Sequence, residues 1–341
     1  EFIHEVVDDP RQRGILISGS LALFVVGLTP RFLSPGLPTA QDALKSQPDL
    51  QNLFLLLAFV STATIILGGL VSDIFRRRSL LIGGLSVVLA GSVLSIVFPG
   101  GPIFYGANFI TLAATGVVLA YGIGAVAITY EGIPRATALG FVYAAFGAGA
   151  AASPAVLTLF PRLLPSDEPR VPSSFTFETW LAYSLTAVAA GVALWATLRW
   201  MPAIPGSLPA SRRLVTGVAV WSIGILALVT GVLGLGGEAD KVFPLVLVVG
   251  GAVALGTLTI RFDRVSQAMG ELKLDVRGLG AALSVGIAVG FAQAIPLMLL
   301  PVVFEYPLDY GTLFAMLAIA PFAIALFLAG PISGILIRRF G

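Results

Sequence analysis

Long apolar runs broken by short polar turns set the pattern of this chain. Ten stretches are long enough to cross a bilayer as helices: approximately 14 to 38, 52 to 72, 79 to 98, 103 to 129, 137 to 160, 178 to 200, 214 to 235, 242 to 260, 278 to 302 and 311 to 336. A hydrocarbon core about 30 Å thick needs about 20 helical residues. The runs are apolar on every side, whereas a membrane strand shows about ten residues of alternating polarity. The pattern therefore predicts an all-α polytopic membrane protein with about ten spans. The first span is too long for a cleaved signal peptide, and a second follows it after a short loop.

Composition sharpens this picture. Of the 341 residues 57% are hydrophobic and 11% charged, less than half the charge of an ordinary soluble domain at roughly 25%. Inside the spans the charged residues are Arg31, Glu178 and Arg199, the last two at the ends of the sixth. With a cytoplasmic N-terminus, alternate loops put 15 Lys and Arg inside and four outside, the excess expected of a multi-pass protein of the cell membrane. A formal net charge of +2 gives no reason to expect a nucleic-acid partner. Without cysteine, and with His4 as the single histidine, the chain lacks the residues of a thiol nucleophile or a Cys/His metal site. No cofactor is expected, and no Walker loop points to ATP.

The loop after the second span reads Gly69-Leu70-Val71-Ser72-Asp73-Ile74-Phe75-Arg76-Arg77-Arg78. It resembles the loop signature of the major facilitator superfamily in Gly69, Asp73, Arg77 and Arg78, and departs from it at Ile74 and Arg76. Gly334-Ile335-Leu336-Ile337-Arg338-Arg339-Phe340-Gly341 occupies the first eight positions of the same signature, with Arg338 where the aspartate would stand. Both copies follow an outward-to-inward span, as an internal repeat requires. Eight spans lie between the copies, which resembles the fourteen-helix drug:proton antiporter branch. In the fifth span, Gly147 to Pro154 is similar to the antiporter signature through Gly149 and Pro154, with Ser153 replacing a glycine. Glu131 and Pro134-Arg135 resemble the preceding loop of that branch.

The resemblance implies an alternating-access secondary transporter: a six-helix bundle over 14–200, an inserted helix pair over 201–261, and two helices of an incomplete second bundle over 278–341. It also implies four further helices after Gly341. The expected activity is ion-coupled export of small organic compounds, with protons as the coupling ion, and no enzymatic reaction. Gly69, Asp73, Arg77, Arg78, Glu131, Arg135, Gly149, Pro154, Gly334, Arg338 and Arg339 would gate the conformational change. For the arginine turns a simple positive-inside anchor is the alternative role.

Thr29 stands where the branch carries an intramembrane aspartate, and the fourth span has no arginine at its centre; the polar residues there are Asn108, Thr111, Thr115 and Tyr121. Arg31, between Pro30 and Pro35, either faces a central cavity, where it would attract an anionic substrate, or snorkels to the outer interface. Gln293, with Pro296 and Pro301, marks the ninth span as the symmetry mate of the first. Arg31, Asn108, Tyr121 and Gln293 are thus the candidate substrate-binding residues. An organic-anion carrier using Arg31, and a non-transporting sensor or scaffold derived from a carrier, are the alternatives.

Overall fold

The computed structural model describes residues 9–29, 63–65, 68, 76–98, 101–163, 177–203, 212–235, 241–260 and 320–340. Every regular element among them is a helix: α1 Pro10–Leu28, α2 Arg77–Val97, α3 Gly101–Thr129, α4 Gly132–Leu163, α5 Phe177–Trp200, α6 Arg212–Leu235, α7 Val242–Ile260 and α8 Ala320–Phe340. They correspond to the first, third to eighth, and tenth spans. Among the described residues, four stretches are long and apolar enough to cross a membrane, namely Pro10–Leu28, Arg77–Val97, Gly106–Thr129 and Trp180–Trp200. The architecture is that of an all-α polytopic membrane bundle.

Local signals explain where the helices begin. Asp9 caps α1 by accepting the Arg11 amide at 2.9 Å, and Pro10 opens the helix where a missing N–H costs nothing. Residues Tyr130 and Glu131 join α3 to α4, and Gly132 opens α4 at φ +61°, a left-handed conformation that glycine adopts without a Cβ penalty. This start corrects one expectation. Pro134 and Arg135, read as loop, lie in the first turn of α4, where proline is tolerated because that N–H has no helical acceptor.

Helix α1 packs on α3, α4 and α5, while α2 packs on α3 and α5. Ten of the 19 residues of α1 are buried, including Gly14, Ser18, Ala22, Val25 and Leu28. Glycines set how close it comes to its neighbours. A Cβ on Gly14 would strike the Trp200 carbonyl, one on Gly27 the Phe146 carbonyl, and one on Gly149 the Phe24 carbonyl. Such small-residue contacts let membrane helices associate where water gives no hydrophobic drive. Leu23, Leu81, Leu85, Val88, Val118 and Val142 fill the core between them.

Two further packings complete the picture. Helices α6 and α7 lie on one another, Gly224 against Gly251, where a Cβ on Gly251 would sit 2.6 Å from the Gly224 carbonyl oxygen. Helix α8 packs extensively along α4. Outward faces are apolar: Val242, Leu245, Val246, Val249 and Val253 on α7, and Ile324, Phe327, Leu328, Ile332 and Ile335 on α8 are all exposed. In water such stripes would aggregate, whereas in a bilayer they meet lipid.

Candidate functional site

The four polar residues named at the centre of the fourth span sit on α3, and all four are buried. Three satisfy themselves locally. Thr111 Oγ1 donates to the Ala107 carbonyl at 2.7 Å, Thr115 Oγ1 to the Leu112 carbonyl at 2.8 Å, and Asn108 Nδ2 to the Phe104 carbonyl at 2.9 Å. Apolar surroundings enforce this economy, since an unmade hydrogen bond there costs more than in water. The other end of the Asn108 amide reaches across the bundle: its Oδ1 accepts the phenol O–H of Tyr183 on α5. Phe104 meets the Tyr183 ring edge-on, centroids 5.8 Å apart. Tyr183 was missed by sequence reasoning, although a lone tyrosine among the alanines and leucines of the sixth span was a signal.

Tyr121, by contrast, is 1% exposed within the hydrophobic core. From Asn108 to Tyr121 the helix advances roughly 20 Å, so the two candidate lining residues occupy different levels. Two buried side-chain atoms among the described residues lack a hydrogen-bond partner, Ser18 Oγ and Arg78 Nε. Thr29, at the position of the expected carboxylate, is buried and donates to the Val25 carbonyl at 2.8 Å.

The second cluster lies at one end of the bundle, where α2 and α4 begin and α3 and α5 finish. Arg77 is 1% exposed and donates through Nη1 to the Gly124 carbonyl near the end of α3, at 3.4 Å. Arg78 donates through Nη2 to the Leu198 carbonyl in the last turn of α5, at 2.7 Å. Cations at helix C-termini meet the negative end of the macrodipole. Arg77 and Arg78 thereby tie the start of α2 to two other helices. Glu131 and Arg135 are both exposed. Tyr130 is buried in the connection just before them, and burial, then the negative charge of Asp9, push its phenol up to about 12.

Gly149 sits at the α1 crossing described above, and Pro154 lies within the continuous helix α4. Nine residues before Gly149, Gly140 meets Gly330 of α8 so closely that a Cβ on either would strike the other's carbonyl oxygen. Gly334, Arg338 and Arg339 belong to α8, so the second signature copy is helical through Phe340, and Arg339 is exposed. Arg31, Gly69, Asp73 and Gln293 lie outside the described residues.

No family model matches the chain, and no curated protein matches it. Among solved structures it is similar to the crystal structure of the human organic anion transporter MFSD10 (TETRAN), at 16% sequence identity, over 96% of this chain and 86% of that one, with a TM-score of 0.47. At that identity and overlap the likeness assigns neither a mechanism nor a substrate.

Proposed function

We propose that this chain is a carrier of the major facilitator type, moving small organic compounds across a cell membrane by alternating access. The single observation that carries the reading is the double role of α4. One part of it, at Gly149, presses on α1 within the first bundle, and another, at Gly140, presses on α8, which bears the second copy of the arginine turn. A glycine-on-glycine crossing has no interdigitating side chains to hold one rotation, which suits a surface on which two blocks rock.

In this reading residues 14–200 form the first transport bundle, 201–261 an inserted pair, and 278–341 the opening of the second. Arg77 and Arg78 belong to the first bundle's cytoplasmic brace, with Asp73, Glu131, Arg135, Arg338 and Arg339 completing a charged rim that rearranges during the cycle. Export driven by an ion gradient, with protons as the coupling ion, is the direction we assign. Reconstituted into vesicles, the protein should move a cationic dye only when a pH gradient is imposed. Flux that ignores the gradient removes the coupling; absence of any flux, for cations and anions alike, favours a sensor or scaffold.

A specific observation favours a second substrate class. Thr29 holds the place of the expected carboxylate with a hydroxyl bonded to its own helix, so no acid stands there to attract a cation or carry a proton. Arg31 follows two residues later and would attract an anion instead. Competition between cationic and anionic substrates in the same vesicles separates the two readings, and loss of anion flux in Arg31→Ala would select the second.

A further inference from the structure

Arg76, Arg78 and Arg199 stand where the start of α2 meets the end of α5. Arg78 is held there by its bond to the Leu198 carbonyl, which leaves Nε buried with no acceptor. Arg199 is the next residue along α5 and is exposed, as is Arg76 at the N-cap of α2. Arg76 gives that helix no side-chain cap. Helix α2 contains no acid, and the acid of α5, Glu178, lies at the helix's other end. The acids described elsewhere at this end, Asp9 and Glu131, belong to α1 and to the α3–α4 connection.

The same corner carries an apolar and aromatic margin. Trp195 and Trp200 pack edge to face, centroids 4.9 Å apart, and both are exposed. Leu198 lies between them along the chain, and Val188 and Val192 continue the exposed apolar surface away from this end of α5. Tryptophan of this kind lies at the level of lipid headgroups. Guanidinium groups at that level, above a stripe fit for an acyl chain, match both halves of one molecule.

We infer that the α2–α5 corner, through Arg76, Arg78 and Arg199, holds the phosphate of an anionic phospholipid headgroup. The inference rests on this end lying at a membrane surface, and it is independent of what the protein transports. A soluble phosphate would satisfy the guanidiniums but would leave the Trp195 to Val188 stripe unused, so the lipid is the occupant the surface fits.

Native mass spectrometry of the full chain, released from micelles doped with phosphatidylglycerol or phosphatidylcholine, tests it. Phosphatidylglycerol should be retained preferentially, and Arg199→Gln should lower its retention by about fivefold, the worth of one basic residue near such a lipid. Arg76→Gln, at the exposed N-cap of α2, should lower it too. Arg135→Gln, exposed at the same end but on α4, should not. Equal retention of the two lipids, or an equal loss from Arg135→Gln, overturns the site. Displacement of the lipid by millimolar inorganic phosphate overturns the lipid as its occupant. Arg76 and Arg199 are both exposed, so each substitution reports on binding without disturbing the packed core.

Discussion

Tyr183 on α5 donates its phenolic hydrogen to Asn108 on α3, joining two helices through a single buried polar contact. Tyr183→Phe keeps the ring against Phe104 and removes the donor, leaving Asn108 Oδ1 without its inter-helix partner. A buried acceptor so stranded costs about 1–3 kcal/mol. Thermal unfolding in detergent should show the loss, and Asn108→Leu on the Tyr183→Phe background should restore part of it. An unchanged midpoint in Tyr183→Phe would mean that the contact contributes nothing.

The α4–α8 crossing offers a sharper test. Gly140→Ala or Gly330→Ala places a methyl group on an opposing carbonyl oxygen, so the helices must part. Overpacking of this sort typically costs about 1–3 kcal/mol. Flux should fall more than stability in both variants, because the proposed rocking surface is the one disturbed. Equal transport in Gly140→Ala and the parent would remove that surface from the mechanism.

Gly132 tests the connection between α3 and α4. No neighbouring atom obstructs a Cβ there, so Gly132→Ala meets only its own backbone strain at φ +61°. Left-handed geometry costs a residue bearing a Cβ roughly 1–2 kcal/mol. Gly83, likewise unobstructed but within α2, should instead gain slightly on substitution by alanine. Thermal midpoints of the two variants should move in opposite directions.

Alkaline pH should expose Tyr130. Its phenol is raised to about 12 in the fold, by burial and then by Asp9, against an ordinary value near 10. The folded state therefore holds the proton more tightly than the unfolded chain does. This contribution is fully present below about pH 10 and is lost as pH rises through about 12. Tyr130→Phe should flatten that alkaline limb, and Asp9→Asn should shift it to lower pH, both read from unfolding midpoints across the range.

Sidedness tests the duplication itself. The chain has no cysteine, so single cysteines introduced as Arg76→Cys and Arg339→Cys report without background. Both positions are exposed, and an impermeant maleimide should reach both from the same face of sealed vesicles. Labelling from opposite faces would separate the two arginine turns and end the repeat.

The spans were legible because apolar length alone decides what crosses a bilayer, and the helix limits of α2, α5 and α7 fall within a few residues of the hydrophobic runs. The start of α4 was not legible: Pro134 punctuates a sequence strongly, yet the first turn of a helix admits it. The partners of Arg77 and Arg78 were hidden for another reason. Gly124 and Leu198 lie 47 and 120 residues away and offer backbone carbonyls, which no side-chain pattern announces. The Gly140–Gly330 crossing was equally hidden, since either glycine alone is ordinary in an apolar helix and only the pairing gives it meaning. Asn108 was found by its polarity, while its partner Tyr183 went unnoticed in a span read for hydrophobicity.

Helices α6 and α7 seal their shared face at Gly224, Gly231 and Gly251. If both cross the bilayer, as the proposed inserted pair requires, this hairpin returns the chain to the side it left, and its gain or loss keeps the sidedness of every later segment.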